Sequence, residues 1–244
     1  MLGGLWADLA DLVLPAECAG CRERRSGLRH GVCPDCVATL RVLRPGPVRP
    51  VPAPPGLPPC HALGPYGGPL RETLLAYKEH GRHALARPLG ALLAEVVAAA
   101  VGSVRPVVLV PVPDTPQAAR ARYGDHLARL TRHCARRLRR AGWPVRTSRP
   151  VRAAARPDSV TLDSAGRAAA ATAAFRVRAG VGPAPDGSCV VLLDDIVTTG
   201  ATLAAVSRVL AVHGLSPSVA AVLAATEKKA PVVTECVSVS PLRV

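Results

Sequence analysis

The stretch Val190-Val191-Leu192-Leu193-Asp194-Asp195-Ile196-Val197-Thr198-Thr199-Gly200-Ala201-Thr202-Leu203 decides the fold of this chain. Its first four residues are an unbroken apolar run, the pattern of a strand buried on both faces of a parallel sheet. Two adjacent carboxylates end the strand. A turn of Thr198, Thr199, Gly200, Ala201 and Thr202 then opens an apolar-periodic helix, predicted over Ala201 to His213. Ligands of open α/β sheets bind at the carboxyl ends of strands, where Asp194 and Asp195 stand. The turn offers backbone N–H groups, threonine hydroxyls and the positive end of a helix, a set suited to a phosphate monoester. Gly200 leaves no Cβ between the backbone and such an anion. Carboxylates repel bare phosphate, so their targets would be sugar hydroxyls or the water shell of Mg2+. A pentose 5′-phosphate satisfies both halves of the motif. The plain alternative is an ordinary strand-turn-helix in which Thr199 caps the helix and Asp194 is solvated. Against it stands the desolvation cost of two acids at a buried strand's end.

Outward from this block, alternating helices and apolar strands predict an α/β domain with a parallel sheet over residues 63–244. Arg82 to Val101 has helical periodicity, with Leu85, Leu89, Leu92, Leu93, Val96 and Val97 on one side. Val107 to Val112 reads as a second buried strand, turning at Pro111-Val112-Pro113-Asp114. Asp125 to Ala141 reads as a strongly basic helix closed by Gly142, and Pro144 to Val151 as a strand. Arg152 to Arg167 is loop-like before a helix starting near Ser164. Ser218 to Thr226 is a third buried strand, and Val232 to Val239 a fourth.

The formal charge of +14 on 244 residues would suit a polyanion partner. Its arginine-dominated basic content, with Lys only at 78, 228 and 229, fits the codon bias of a GC-rich genome equally well. The helix at 125–141 is the best nucleic-acid candidate, yet such faces are usually just solvated. With aromatics confined to Trp6, Tyr66, Tyr77, Tyr123, Trp143 and Phe175, stacking of single-stranded bases has little to build on. Direct nucleic-acid binding is expected to be weak or absent. No segment reaches the ~18 uninterrupted apolar residues of a membrane span. Met1 to Leu14 reads as a short amphipathic helix without the basic start and cleavage site of a signal peptide. A cytoplasmic location follows as the expectation, with thiols or metal ligands favoured over disulfides.

Cys18-Ala-Gly-Cys21 and Cys33-Pro-Asp-Cys36 form two Cys-x2-Cys pairs, eleven residues apart. Two such turns complete a tetrahedral four-sulfur site, which makes residues 1–42 a small zinc module after an N-terminal helix. A closed set of four thiolates has no open position, so the Zn2+ is structural. Free thiols or a redox pair are the alternatives, and His30 is close enough to replace one Cys. Residues 43–62 read as a proline-rich, semi-rigid linker. Cys60-His61 at its end reads as either a metal half-site remnant or two ordinary residues.

The block at 190–203 resembles the phosphoribosyl pyrophosphate (PRPP) signature of type I phosphoribosyltransferases. Other matching features are the four-cysteine module, Gly64-Pro65-Tyr66-Gly67-Gly68, Leu70-Arg71 and Tyr77-Lys78-Glu79. Together they make the chain similar to ComF-type competence proteins, described as zinc ribbons joined to a phosphoribosyltransferase-like domain. That resemblance implies a type I phosphoribosyltransferase-like sheet flanked by helices, with PRPP and Mg2+ as ligands. It implies catalytic roles for Asp194 and Asp195, and PRPP contacts from Thr198, Thr199, Gly200, Ala201, Thr202 and Lys78. The turn after Pro111 would be the pyrophosphate loop, with Arg120 and Arg122 on the leaving group. A solvated basic helix start is the alternative for those two arginines. This loop runs on as Tyr123-Gly124-Asp125-His126, without the family's amide pair. A base-reading hood would come from Leu63 to His83, with Tyr66, Tyr77 and Lys78. The activity implied is transfer of a phosphoribosyl group to a nitrogen acceptor with release of pyrophosphate. The alternative is a PRPP- or nucleotide-binding adaptor or sensor, without turnover, associated with DNA-uptake proteins.

Overall fold

Val190 to Leu193 lie buried within β7 (Cys189–Val197), the strand on which the rest of the sheet is organised. β3 (Val107–Pro111) and β8 (Val219–Ala225) pair with it in parallel on either side, and every residue of both is buried. Burial on both faces is why these three segments read as apolar runs and not as alternation. β2 (Cys60–Pro65) joins β8 in parallel, β4 (Val145–Thr147) joins β3 in parallel, and β1 (Gly46–Val48) closes one edge antiparallel to β2. The order is β1-β2-β8-β7-β3-β4. The computed structural model describes residues 16–114, 124–153 and 174–226.

Five α-helices lie among the described residues: α1 (Pro34–Val42), α2 (Gly68–Lys78), α3 (Ala86–Val101), α4 (His126–Arg140) and α5 (Ala201–Ala211). From β3 to β4 the chain steps one way along the sheet, and from β7 to β8 it steps the other. Right-handed crossovers then put α4 and α5 on opposite faces. The strand ends of β3 and β7 therefore flank a topological switch point, where open sheets form their ligand crevice. This α/β architecture with a mostly parallel sheet agrees with the expectation from the sequence.

α4 shows how sharply the sequence segregates. Leu127, Leu130, Thr131, Cys134, Ala135 and Leu138 are buried along one stripe, while its arginines lie outside it. Asp125 caps its start, accepting from the Ala128 N–H at 2.8 Å, and Gly142 follows its end at φ +83°. α3 packs along α4, and a Cβ on Gly90 would lie 2.5 Å from His133 Cβ and 2.9 Å from the Leu130 carbonyl oxygen. The stretch His83–Val101 is long and apolar enough to cross a membrane by length and composition, although Arg87 and Glu95 interrupt it. Its Leu89, Leu93, Val96 and Val97 are buried, as in the core helix of a sheet protein.

Three sequence expectations change. Residues 43–62 contain β1 and the start of β2, because Cys60 and Ala62 alternate with His61 into the core despite the surrounding prolines. The strand expected over Pro144 to Val151 is two: β4, and β5 (Val151–Ala153), which pairs antiparallel with β6 (Phe175–Val177) in a separate sheet. Pro150 stands at the break; it has no N–H for a ladder, and its carbonyl accepts from Arg178. The hood region instead builds β2 and α2, with Tyr77 buried and its hydroxyl donating to the His126 carbonyl at 2.6 Å. The helices expected at 1–14 and from Ser164, the strand at 232–239 and most of the 152–167 loop lie outside the described residues.

Candidate functional site

Successive side chains of a strand point to opposite faces, so the two adjacent carboxylates of β7 are separated by the sheet itself. Asp195 is 4 % exposed. Its Oδ2 lies 2.7 Å from Lys78 Nζ and 2.8 Å from His126 Nε2. His126 Nδ1 lies 2.8 Å from Oδ2 of Asp114, just after β3, at ion-pair distance though without hydrogen-bond alignment. The last residue of α2, the first of α4, the end of β7 and the loop after β3 thus meet in one chain of alternating charge, Lys78–Asp195–His126–Asp114.

Burial works against the charged forms of His126 and Asp195, and pairing outweighs it. For His126, burial favours the neutral ring, but the close carboxylates of Asp114 and Asp195 win and push its pKa up to about 9. Asp195 is desolvated too, yet the His126 hydrogen bond and the Lys78 charge hold its carboxyl below the usual carboxylate range. Pairing of opposite charge types within the cluster is what makes its burial tolerable.

Asp194 has a different environment. It accepts from the Asp195 backbone N–H at 2.9 Å and borders a hollow of about 40 Å3 shared with Thr198, Thr199, Gly200, Ala201 and Thr202. That is room for a few water-sized groups. Burial first, and then the neighbouring Asp195 charge, push its carboxyl well above the carboxylate range. No side chain caps α5, and the Ala201 N–H reaches Thr199 Oγ1 only at 3.4 Å. The first turn of α5 therefore keeps N–H groups directed at the hollow.

Gly200 stands at φ +74°, in the left-handed region that favours glycine. A Cβ there would meet Leu57 at 3.0 Å and Pro50 at 3.4 Å. The space freed by the missing side chain is thus taken by the proline-rich segment crossing above it, and not by an anion's approach as the sequence suggests. Arg208 of α5 fastens that segment by donating to the Pro55 carbonyl at 2.6 Å. Residues 49–57 lie across the turn as a strap.

Of the other residues expected at the site, Lys78 is engaged by Asp195, while Arg120 and Arg122 lie outside the described residues. Asp114 and His126 are the members that sequence reasoning did not place. The available signal was Asp125-His126, an N-cap and a titratable side chain opening a helix directly after the loop. Away from this site, Arg132, Arg136, Arg139 and Arg149 line a groove of about 380 Å3 beside α4. Arg139 donates to the Val145 carbonyl and Arg149 pairs with Asp125, so half of that charge is already engaged.

The cysteine pairs behave as their spacing suggests. The Sγ atoms of Cys18, Cys21, Cys33 and Cys36 all lie within 4.8 Å of one another. A tetrahedron with Zn–S near 2.3 Å has edges of about 3.8 Å, so a small closure brings this set to zinc geometry. Cys18 Sγ accepts from the N–H groups of Gly20 at 3.3 Å and Cys33 at 3.2 Å. Its burial opposes ionisation, but these amides prevail and lower the thiol's pKa to about 6. A Cβ on Gly20 would sit 2.8 Å from both Cβ and Sγ of Cys36, so this position admits no side chain. The four-cysteine cluster could hold a structural zinc ion. Cys60 and His61 belong to no metal cluster among the described residues. Cys60 is buried in β2 and its thiol donates to the Pro58 carbonyl at 3.2 Å. No protein-family model matches this chain, and the search of curated proteins found no match.

Proposed function

We propose that the chain binds PRPP and transfers its phosphoribosyl group to a nitrogen acceptor, with pyrophosphate as the leaving group. The observation that carries this reading is the small hollow formed by Asp194 with the uncapped turn Thr198–Thr202. It sets a hydroxyl-binding carboxyl beside N–H groups suited to a 5′-phosphate, at the carboxyl end of the central strand. In this reading Asp194 takes the ribose hydroxyls, while Asp195 is spent on internal structure. Thr198, Thr199 and Thr202 hold the phosphate, and Mg2+ enters with the substrate on its pyrophosphate. The loop after β3, which carries Arg120 and Arg122, receives the leaving group. Fixing both reactants on rigid strand ends supplies most of the rate by orientation.

Lys78 supports the second reading, a PRPP- or nucleotide-binding adaptor in DNA uptake without turnover. Its ammonium is held by Asp195 and so is not available to a departing pyrophosphate. Melting temperature with and without Mg·PRPP, and pyrophosphate release with a panel of nitrogen acceptors, separate the cases. The transferase reading expects a rise in melting temperature and release with at least one acceptor. A rise without release favours the adaptor, and no rise at millimolar PRPP removes both.

A further inference from the structure

We propose that the slot between the strap and the ends of β7 and β8 is the acceptor site, and that it takes a planar nitrogen nucleophile bearing a carboxylate. This rests on the PRPP reading above and adds the substrate class to it.

The slot is a cavity of about 350 Å3 bounded by Val48, Arg49 and Val51 on the strap side and by Val197, Thr198 and Thr226 on the sheet side. Its volume is at the lower end of the ~300–1,000 Å3 range of small-molecule sites. Thr198 borders both this slot and the phosphate-sized hollow, so ligands in the two would touch.

Chemistry chooses the side. In the transfer, the C1–O bond to pyrophosphate breaks and the oxygen keeps the electron pair. The nitrogen lone pair forms the new C1–N bond from the opposite face; an amine nitrogen then loses a proton to water, whereas a pyridine nitrogen, which carries none, becomes a pyridinium. The two partners must therefore approach the ribose from opposite sides. β3 and β8 flank β7 on opposite sides, and the leaving group belongs to the loop after β3. The nucleophile then enters over β8, which is where the slot opens, beside Ala225 and Thr226.

The lining selects the class. The walls are branched aliphatic side chains and proline, which fit a flat ring. Among the described residues, Arg49 is the one charged group lining the slot, and no described carboxylate is there to hold a cationic amine. Arg49 is exposed and has no ion pair or hydrogen bond with the described residues, leaving its guanidinium for a ligand carboxylate, which it can grip through two N–H groups. Simple packing of the strap would fill this space and need no cation facing it.

The test uses the full chain with Mg·PRPP and matched probes: anthranilate against aniline, and nicotinate against nicotinamide. Binding is read by calorimetry for wild type, Arg49→Gln and Val51→Trp. Val51 is 73 % exposed, so the tryptophan blocks the slot without entering the core. The expected result is at least a ten-fold preference for one carboxylate probe over its partner. Arg49→Gln should erase that preference and Val51→Trp should weaken the probe, both with unchanged Mg·PRPP affinity. Equal binding of both members of each pair, or a preference that survives Arg49→Gln, overturns the acceptor assignment while the PRPP reading stands. Failure of wild type to bind Mg·PRPP removes the reading beneath it.

Discussion

The four thiols at Cys18–Cys36 and the carboxylate cluster around Asp195 are both buried gatherings of ionisable groups, but they are stabilised in opposite ways. The four cysteine sulfurs converge to within 4.8 Å of one another, so as thiolates they would repel one another without a metal between them. Asp195 is neutralised from within by Lys78 and His126, and nothing further is needed to hold it. A carboxylate already paired twice by its own protein has little left for a ligand. The contrast therefore separates the adjacent acids: Asp195 is paired inside the protein, while Asp194 borders the hollow at the turn.

Chelation attacks the contrast most strongly. Removing zinc should cost the module most of its stability, since zinc contributes about 10–16 kcal/mol in zinc-finger peptides. Limited proteolysis after chelator treatment should cut within residues 16–42 and spare the sheet from Cys60 to Thr226. Simultaneous loss of the sheet would mean that the module and the α/β domain fold as one unit. The Cys18→Ser/Cys33→Ser double variant should contain no zinc by elemental analysis, against about one per chain in wild type.

On the other side of the contrast, His126→Leu leaves Asp195 and Asp114 facing a hydrocarbon. The expected loss is about 3–5 kcal/mol, the usual penalty for breaking a buried pair from one side. The wild-type pH profile carries the same information. The folded pKa of His126, about 9, stands above its ordinary value of 6.5. Its contribution to stability is thus complete below about pH 6.5 and lost as pH rises through 9. Denaturant melts from pH 6 to 9.5 should show this decline, and His126→Gln should flatten it. The raised pKa of Asp194 acts in the same direction, so the Asp194→Asn background isolates the histidine.

The smallest effect tests the local geometry of the cysteine turns. Arg22 follows Cys21 at φ +64°, a conformation that costs a non-glycine residue about 1 kcal/mol. Its carboxylate contacts, Glu17 at 3.7 Å and Glu72 at 3.9 Å, are loose and exposed enough to return little. Arg22→Gly should raise the stability of the zinc-loaded module by under about 1 kcal/mol in denaturant melts. A loss would show that the ion pairs outweigh the strain.

The same contrast explains what was readable in the sequence. Cys18 and Cys21 are neighbours on a tight turn, and β3, β7 and β8 announce themselves as continuous apolar runs, so local pattern was enough. His126 and Asp195 lie 69 positions apart and meet only because the β3 and β7 ends are adjacent in the sheet. No periodicity encodes that meeting. Adjacent acids in the sequence suggest a joint site, whereas strand alternation sends them to opposite faces. β1 and the strap were hidden by proline, whose local preferences for extended and turn backbone read as a linker. Only the pairing with β2 and the cover over Gly200 give those residues a fixed place.

The central claim is that Asp194, and not the acidic pair as a unit, faces the ligand. Calorimetric titration of Mg·PRPP into wild type and Asp194→Asn at neutral pH tests it most directly, with circular dichroism on the same samples. The account predicts saturable binding to wild type and at least a ten-fold weaker affinity in Asp194→Asn, with an unchanged fold. Equal affinities, or no binding to wild type at millimolar Mg·PRPP, would contradict it.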